Sequence, residues 1–221
     1  LCAEIQIDPS RPFVLYTVSA ERLFPQESRM IDLVIEILRS GEIAGDPQIV
    51  LRAHPYSDHP ALDALAARHS HIAFAPGLAD LSTTPSPHDT AVYSSLLKHA
   101  SLGINGASTV SLELMIHDKP VINLGFDPPG ARLPHAFRYA RHLEFDHFRP
   151  VVSSGAVLVA RSSGDMKEMI VQALTHPEAT AEHRRAFLRQ MFDDKLDAHS
   201  GERIARSILD RLGASAPIQA S

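Results

Sequence analysis

Short apolar segments alternate with amphipathic segments along the first 127 residues, and this alternation limits the possible folds more than any other feature. The apolar segments, such as residues 13–19, are rich in β-branched and aromatic residues, which favours buried strands. The intervening segments have helical spacing, as in residues 27–41, which end at Gly41. The connections are too long for hairpins, so the strands are expected to be parallel, with helices on both faces. We therefore predict an α/β fold, a Rossmann-like doubly wound parallel sheet.

The pattern predicts one domain over residues 1–212, followed by a disordered tail over residues 213–221. The predicted strands are residues 13–19, 48–55, 71–76, 102–105, 120–126 and 156–160. The predicted helices are residues 27–41, 61–69, 89–100, 108–117, 164–175, 177–195 and 201–212. Asp89 is predicted to start the third of these helices, and no regular pattern is visible between residues 128 and 155.

Composition excludes several classes of function. The chain has 221 residues, 44% hydrophobic and 21% charged, with a formal net charge of -5, which is typical of a soluble globular protein. A mildly acidic chain without basic runs is not expected to bind nucleic acid. The single cysteine, Cys2, excludes an intrachain disulfide, and no apolar run is long enough to span a membrane. We expect a cytoplasmic protein that could lie at the inner face of the membrane.

The first candidate site lies where the fourth strand is predicted to end. Asn105 and Gly106 begin a turn that continues through Ser108 and Thr109, and Glu113 follows on the predicted helix. Glycine permits close backbone approach, and unpaired amides at a helix start attract phosphate. Glu113 lies four residues after Thr109 on one helix face, where a carboxylate could accept hydrogen bonds from ribose hydroxyls. The alternative is that Ser108 or Thr109 only caps the helix and Glu113 is solvated.

The second candidate site lies at the end of the second predicted strand. Arg52 and His54 are two residues apart, so on an extended strand both side chains are on one side. Ligands of doubly wound sheets bind at the carboxyl ends of the strands, which directs this pair and the turn at Gly106 to one crevice. Arg52 and His54 would then be donors to a pyrophosphate. The alternative is a surface arginine and a turn histidine before Pro55.

These segments together resemble the C-terminal, nucleotide-binding half of GT-B fold glycosyltransferases. The resemblance is strongest to the surface and capsular polysaccharide branch, which is related to CDP-glycerol glycerophosphotransferases and, more distantly, to UDP-N-acetylglucosamine 2-epimerase. The matching motifs are short and extend over roughly residues 13–212. They are Arg52, His54 and Pro55 after the second strand; Gly106, Ser108, Thr109 and Glu113 in the turn and helix; and Lys119, Pro120, Val121 and Ile122 before the next strand.

The resemblance implies a role for each motif. Ser108 and Thr109 would hold the donor phosphate, Glu113 the ribose, and His54, the candidate catalytic residue, would lie beside the pyrophosphate or the transferred group. Two departures are visible: Ala100 and Ser101 replace the acidic residue that often precedes the fourth strand, and the Thr-Glu-Arg-Pro-Glu run of the epimerases is missing after Phe126. The second departure counts against an epimerase.

Three further features give weaker signals. Asp146 and His147 follow the fifth strand, in a loop that closes over the donor in the resembled fold; the alternative is a loop packed through Phe145 and Phe148. The 13 histidines are dispersed, so we expect neither a metal site nor a cofactor. The basic residues of the helix over 177–195 could contact an anionic membrane, although its acidic neighbours favour a solvated face.

The sequence therefore predicts a nucleotide-diphospho-sugar-binding domain of a metal-independent glycosyltransferase in cell-surface or capsular polysaccharide biosynthesis. The expected partners are a UDP-, CDP-, GDP- or CMP-linked sugar donor and a glycan acceptor. The chain starts at Leu1 and almost directly at the first strand, so we expect a separate N-terminal domain to hold the acceptor and the general base. The alternatives are a CDP-glycerol-type glycerophosphotransferase domain, or a non-catalytic module that binds a nucleotide sugar or serves as a scaffold.

Overall fold

Six parallel strands form the centre of the protein, which we describe from a computed structural model covering residues 2–54, 59–69, 72–75 and 85–213. The order across the sheet is β3-β2-β1-β4-β5-β6, and every neighbouring pair is parallel. The strands are β1 Phe13–Thr17, β2 Gln48–Arg52, β3 Ala73–Ala75, β4 Leu102–Asn105, β5 Val121–Leu124 and β6 Leu158–Ala160. The chain reverses its direction of winding between β1 and β4, so the predicted doubly wound fold is confirmed.

Helices cover both faces of the sheet. They are α1 Cys2–Ile5, α2 Glu27–Leu38, α3 His59–Arg68, α4 Pro87–His99, α5 Val110–Ile116, α6 Tyr139–His142, α7 Arg149–Ser153, α8 Ser163–Thr175, α9 Ala181–Phe192 and α10 Ser200–Arg211. Alternate strand residues point to opposite faces, which gives two apolar cores. One core packs the sheet against α2, α3 and α8, and the other packs it against α4, α5 and α9.

Several element boundaries differ from the prediction for local reasons. Helix α4 begins at Pro87, because the Ser86 side chain caps it and Asp89 completes a capping box three residues later. The predicted helix over 177–195 is divided into a 3-10 turn, Pro177–Thr180, and α9. Residues 128–155 contain two short helices, α6 and α7, and a 3-10 turn, none of which the sequence pattern predicted. Gly213 ends the described part, and the rest of the predicted tail lies outside it.

A buried arginine attaches α9 to the turn before β5. The Arg184 side chain is only 1% exposed, and its guanidinium donates to the Asp118 carboxylate at 2.8 and 3.0 Å and to the Pro177 carbonyl at 3.1 Å. A buried charge is tolerated when its donors are satisfied in this way. In contrast, α10 contains no buried residue: Ile204 and Ile208 within it and Leu212 at its C-terminal end are more than half exposed. Among the described helices, none is long and apolar enough to cross a membrane.

Candidate active site

The carboxyl ends of the central strands carry polar residues that adjoin each other in the sheet. Thr17 is the last residue of β1 and is paired in register with Arg52 of β2 and Asn105 of β4. Asn105 is in turn paired with Asn123 of β5. Residues in register on neighbouring strands share one face, so these four side chains form a polar row on the α4 and α5 face. This row crosses the point between β1 and β4 where doubly wound sheets bind ligands.

The turn after β4 has unpaired backbone donors. Within the described residues, the N–H groups of Ala107, Ser108 and Thr109 donate no hydrogen bond. The Ser108 hydroxyl accepts from the Val110 N–H at 3.3 Å, and Thr109 makes no side-chain cap. Successive free N–H groups in a turn form a concave site that favours an anion.

The position of α5 modifies the expectation for this turn. The predicted helix started at residue 108, whereas α5 begins at Val110 and has only seven residues. Ser108 and Thr109 therefore precede the helix. A helix this short contributes little dipole, so the attraction for an anion depends mainly on the turn itself.

Gly106 has a packing reason to be glycine that the sequence did not reveal. A β-carbon at this position would lie 2.4 Å from the ring of Phe24, a residue that is 3% exposed. Phe24 comes from the loop after β1 and contacts Tyr139 edge-on at 4.7 Å and His142 in a stack at 4.6 Å. On this side of the turn, therefore, an aromatic ring occupies the space for which we expected a ligand.

Arg52 and Glu113, predicted on separate segments, are joined by a third residue. The guanidinium carbon of Arg52 lies 4.1 Å from the ring centroid of Tyr93 in α4, and the Tyr93 hydroxyl donates to Glu113 Oε2 in α5. Burial lowers the pKa of Arg52, while Tyr93, Glu113 and Asp89 oppose that shift by stabilising its charge. Glu113 is thus not simply solvated, and a cationic and an anionic group are placed together beside the turn.

His54 lies just beyond β2 and is exposed. The residue as a whole is exposed, but partial desolvation of its ring lowers the pKa of His54, and the positive charge of Arg22 in the loop after β1 lowers it further. The lowered pKa favours the neutral imidazole at pH 7, which can donate one hydrogen bond and accept another without adding a positive charge to the site.

A buried amide network fixes the start of the turn. The Asn123 amide nitrogen lies 2.9 Å from Asn105 Oδ1, 3.1 Å from the Gly106 carbonyl oxygen and 3.0 Å from Ser111 Oγ. Both asparagines are fully buried. Within the described residues, Asn105 Nδ2, Asn123 Oδ1 and the nearby Thr17 hydroxyl have no partner. Buried polar groups without hydrogen-bond partners are uncommon in folded proteins, and three of them lie next to each other at this edge of the sheet.

A buried carboxyl group lies under the loop that carries Phe24. Glu27, 3% exposed at the start of α2, accepts from the Ser19 N–H at 2.8 Å and from the Tyr16 hydroxyl at 3.1 Å. Burial raises the pKa of Glu27 to about 8, and its hydrogen bonds to Ser19 and Tyr16 only partly oppose that shift. This group fixes the loop after β1 through its contact with the backbone.

The predicted loop residues Asp146 and His147 have their contacts within their own loop. The Asp146 side chain is 99% exposed and pairs with Arg149 at 3.5 Å. The His147 ring lies 5.8 Å from that of Phe145. In the described part of the chain, neither residue has a hydrogen bond to Arg52, to Glu113 or to the turn. Their role at the donor remains a prediction.

Tyr93, Asn123, Phe24 and Glu27 are the residues at this edge that the sequence analysis missed. Asn123 did leave a signal, because an asparagine inside a parallel strand that is apolar on both sides is unexpected. Tyr93, Phe24 and Glu27 left none, since an aromatic residue or a glutamate near a helix start has no distinctive spacing. Among the described residues, no cluster of histidine, cysteine or acidic side chains could hold a metal ion.

Comparison of the sequence with protein-family models and with curated proteins gave no match. Solved structures, in contrast, match over most of the chain. UDP-GlcNAc 2-epimerase from Neisseria meningitidis bound to UDP-GlcNAc is similar over 94% of this chain and 47% of its own, with 16% identity and a TM-score of 0.56. The calicheamicin glycosyltransferase CalG4 matches over 95% and 44%, with 17% identity and a TM-score of 0.55.

The C-terminal CMP-Kdo binding domain of WaaA from Acinetobacter baumannii matches over 86% of this chain and 94% of its own, with 13% identity and a TM-score of 0.53. At such low identities these likenesses establish the fold alone. The fold is that of one half of a GT-B protein. The chain spans about half the length of most of these solved structures, between 44% and 50% of three of them.

Proposed function

We propose that the chain is the nucleotide-diphospho-sugar-binding domain of a glycosyltransferase that acts in cell-surface or capsular polysaccharide biosynthesis. One observation supports this function most strongly. Arg52 and Glu113 meet through Tyr93 at the carboxyl edge of the sheet, beside a turn whose N–H groups are unpaired. A nucleoside diphosphate needs donors for its phosphates and an acceptor for its ribose, and this edge has both.

Each group has a chemical task in this proposal. The N–H groups of Ala107, Ser108 and Thr109 bind the diphosphate and stabilise the negative charge that develops on it as the sugar leaves. Arg52 adds a positive charge, and His54 acts as a neutral hydrogen-bonding group beside the phosphates or the transferred sugar. Glu113 accepts hydrogen bonds from the ribose hydroxyls. Asp146 and His147 belong to the loop that closes over the donor in this proposal.

The rest of the reaction is assigned to a second domain. In this proposal an N-terminal domain holds the glycan acceptor and supplies the general base. Two of the fold neighbours bind nucleotide sugars, UDP-GlcNAc and CMP-Kdo, and this supports the proposed class of ligand by analogy. Fold analogy is weaker support than the site itself.

Calorimetric titration of the folded chain with UDP, CDP, GDP and CMP-sialic acid tests the proposal. We expect saturable binding of one nucleotide, strongly reduced in Glu113→Ala and Arg52→Ala. Glu168→Ala, which removes an exposed carboxylate from α8, is the matched control and should bind like the wild type.

The outcomes separate the candidate functions. Selective binding of CDP would favour the glycerophosphotransferase. A binding module would be favoured if the isolated chain binds a nucleotide and no donor turnover appears when the N-terminal domain is supplied. A folded chain that binds none of the four ligands would contradict the proposal and favour a scaffold.

A further inference from the structure

Tyr93 contacts both charged residues of the candidate site and belongs to neither of their segments. It lies in the middle of α4, its hydroxyl donates to Glu113 Oε2, and its ring lies under the Arg52 guanidinium at 4.1 Å. The contacts therefore join the end of β2 to α5 across α4. Nothing in the sequence spacing requires a tyrosine at this position.

The chemistry of these contacts is directional. A cation over an aromatic face is attracted by the ring quadrupole, and it draws electron density from the phenol and makes the O–H a better donor. Burial and the bond to Glu113 both raise the pKa of Tyr93, so the phenol keeps its proton at neutral pH. Hydrogen bonds to a charged acceptor are shorter and stronger than neutral ones. Tyr93 therefore restrains the Glu113 carboxylate through one of its oxygens.

The other oxygen of that carboxylate remains for a ligand. In the described part of the chain, no hydrogen bond is made to Glu113 Oε1. An ionised carboxylate can accept about four hydrogen bonds, so the bond from Tyr93 leaves capacity for two hydroxyl groups.

We propose that Tyr93 is a positioning residue that holds Glu113 for the ribose hydroxyls of the nucleotide and couples it to Arg52. This inference rests on the proposed function, and it adds a residue that neither contacts the phosphates nor takes part in the chemistry. The competing explanation is that the hydrogen bond only ties α4 to α5. In that case its loss would change stability and leave the choice of ligand unchanged.

The test compares Tyr93→Phe with Glu113→Gln, using the nucleoside diphosphate bound best by the wild type and its 2′,3′-dideoxy analogue. Tyr93→Phe keeps the ring and the contact with Arg52. We expect it to weaken binding of the natural nucleotide about 5- to 10-fold, the equivalent of one hydrogen bond, while binding of the dideoxy analogue is unchanged. The double variant should bind no more weakly than Glu113→Gln alone.

Tyr139→Phe is the matched control, because the Tyr139 hydroxyl donates to the Pro25 carbonyl at 3.0 Å on the other side of the same edge. It should lower stability and preserve the ratio of the two affinities. The proposal is overturned if the Tyr93→Phe variant binds the natural nucleotide and the dideoxy analogue in the wild-type ratio of affinities, whether or not both affinities fall. It is also overturned if this variant fails to fold. If the wild type binds no nucleotide, the proposed function fails as well. If the wild type binds and only the ratio is unchanged, the proposed function stands and Tyr93 is structural.

Discussion

The two sides of the Gly106 turn differ, although they belong to the same edge of one sheet. On the α2 side, the ring of Phe24 fills the space beside Gly106 and is itself enclosed by Tyr139 and His142. On the α4 and α5 side, Arg52 and Glu113 face each other across Tyr93 and are only partly buried. The α2 side is therefore packed like a protein core, whereas the α4 and α5 side carries charged groups that are partly accessible.

The difference shows that the residues of the turn at 106–109 are not all there for the same reason. The glycine is required for packing, since any side chain there would collide with Phe24. The free N–H groups that follow it have no packing role within the described residues. A motif that looks uniform in the sequence is therefore divided between a packing role and the proposed binding role, and a ligand is expected on the charged side.

The largest expected effects concern the packed side. Phe24→Ala should lower the free energy of unfolding by about 3–5 kcal/mol, because it leaves a cavity at a buried aromatic position. Gly106→Ala should cost about 1–3 kcal/mol through overpacking against the same ring. Urea unfolding of the two single variants and the double variant measures both.

The double variant sharpens the comparison. Without the Phe24 ring, Gly106→Ala should cost almost nothing, so the two effects are expected to be strongly non-additive. Additive costs, or a Gly106→Ala variant as stable as the wild type, would mean that the glycine serves ligand approach alone.

The next effect concerns the buried carboxyl group under the same loop. The pKa of Glu27 is about 8 in the folded protein, against an ordinary value of 4.5. Between these pH values the folded chain retains a proton that the unfolded chain has lost. Protonated Glu27 therefore contributes to the free energy of unfolding in full below about pH 4.5, and this contribution is lost as the pH rises to 8. The free energy of unfolding should fall by up to about 1.4 kcal/mol per pH unit in this range.

Glu27→Gln should remove this slope, because the amide never ionises. Its oxygen can accept from the Ser19 N–H, and its NH2 group then faces the Tyr16 hydroxyl oxygen, to which it can donate. We expect the stability of the wild type relative to Glu27→Gln to fall between pH 5 and pH 8 in urea titrations. Glu36→Gln on the exposed face of α2 is the control and should parallel the wild type. Parallel curves for Glu27→Gln and the wild type would show that Glu27 is ionised throughout.

The smallest effect tests the polar row itself. Thr17→Val replaces a buried hydroxyl, for which the described residues provide no partner, with a methyl group of the same shape. Stability should rise by up to about 1 kcal/mol, because an unsatisfied polar group is removed. Thr175→Val, which removes a hydroxyl bonded to the Val171 carbonyl at 2.8 Å, is the control. A loss of stability in Thr17→Val would indicate that the hydroxyl binds a buried water.

The alternating pattern was sufficient to predict the sheet and the long helices. Strand β4 was predicted with its observed bounds, and the end of β2 at Arg52 placed that arginine at the correct edge. Repetition explains the success, since each strand and helix forms a unit that a local pattern can reveal. The short helices between residues 128 and 155 have no such period, and tertiary packing around Tyr139 and Phe148 determines them.

The site was predicted only in part, because its geometry depends on contacts between distant segments. Sequence spacing directed Arg52 and Glu113 to one edge, but the tyrosine that joins them lies 41 residues after one and 20 before the other. Gly106 was predicted for ligand approach, whereas the residue that it packs against, Phe24, comes from a loop more than 80 residues earlier. A single sequence contains no signal for such pairs.

An amide-resolved NMR titration of the folded chain with UDP, CDP and GDP tests the central claim most directly. The account predicts that one nucleotide shifts the N–H signals of Ala107, Ser108 and Thr109 saturably, while those of Phe24 and Tyr139 on the packed side change little. If the nucleotide binds and the three turn signals stay in place, or if the shifts cluster on the packed side, the account is contradicted.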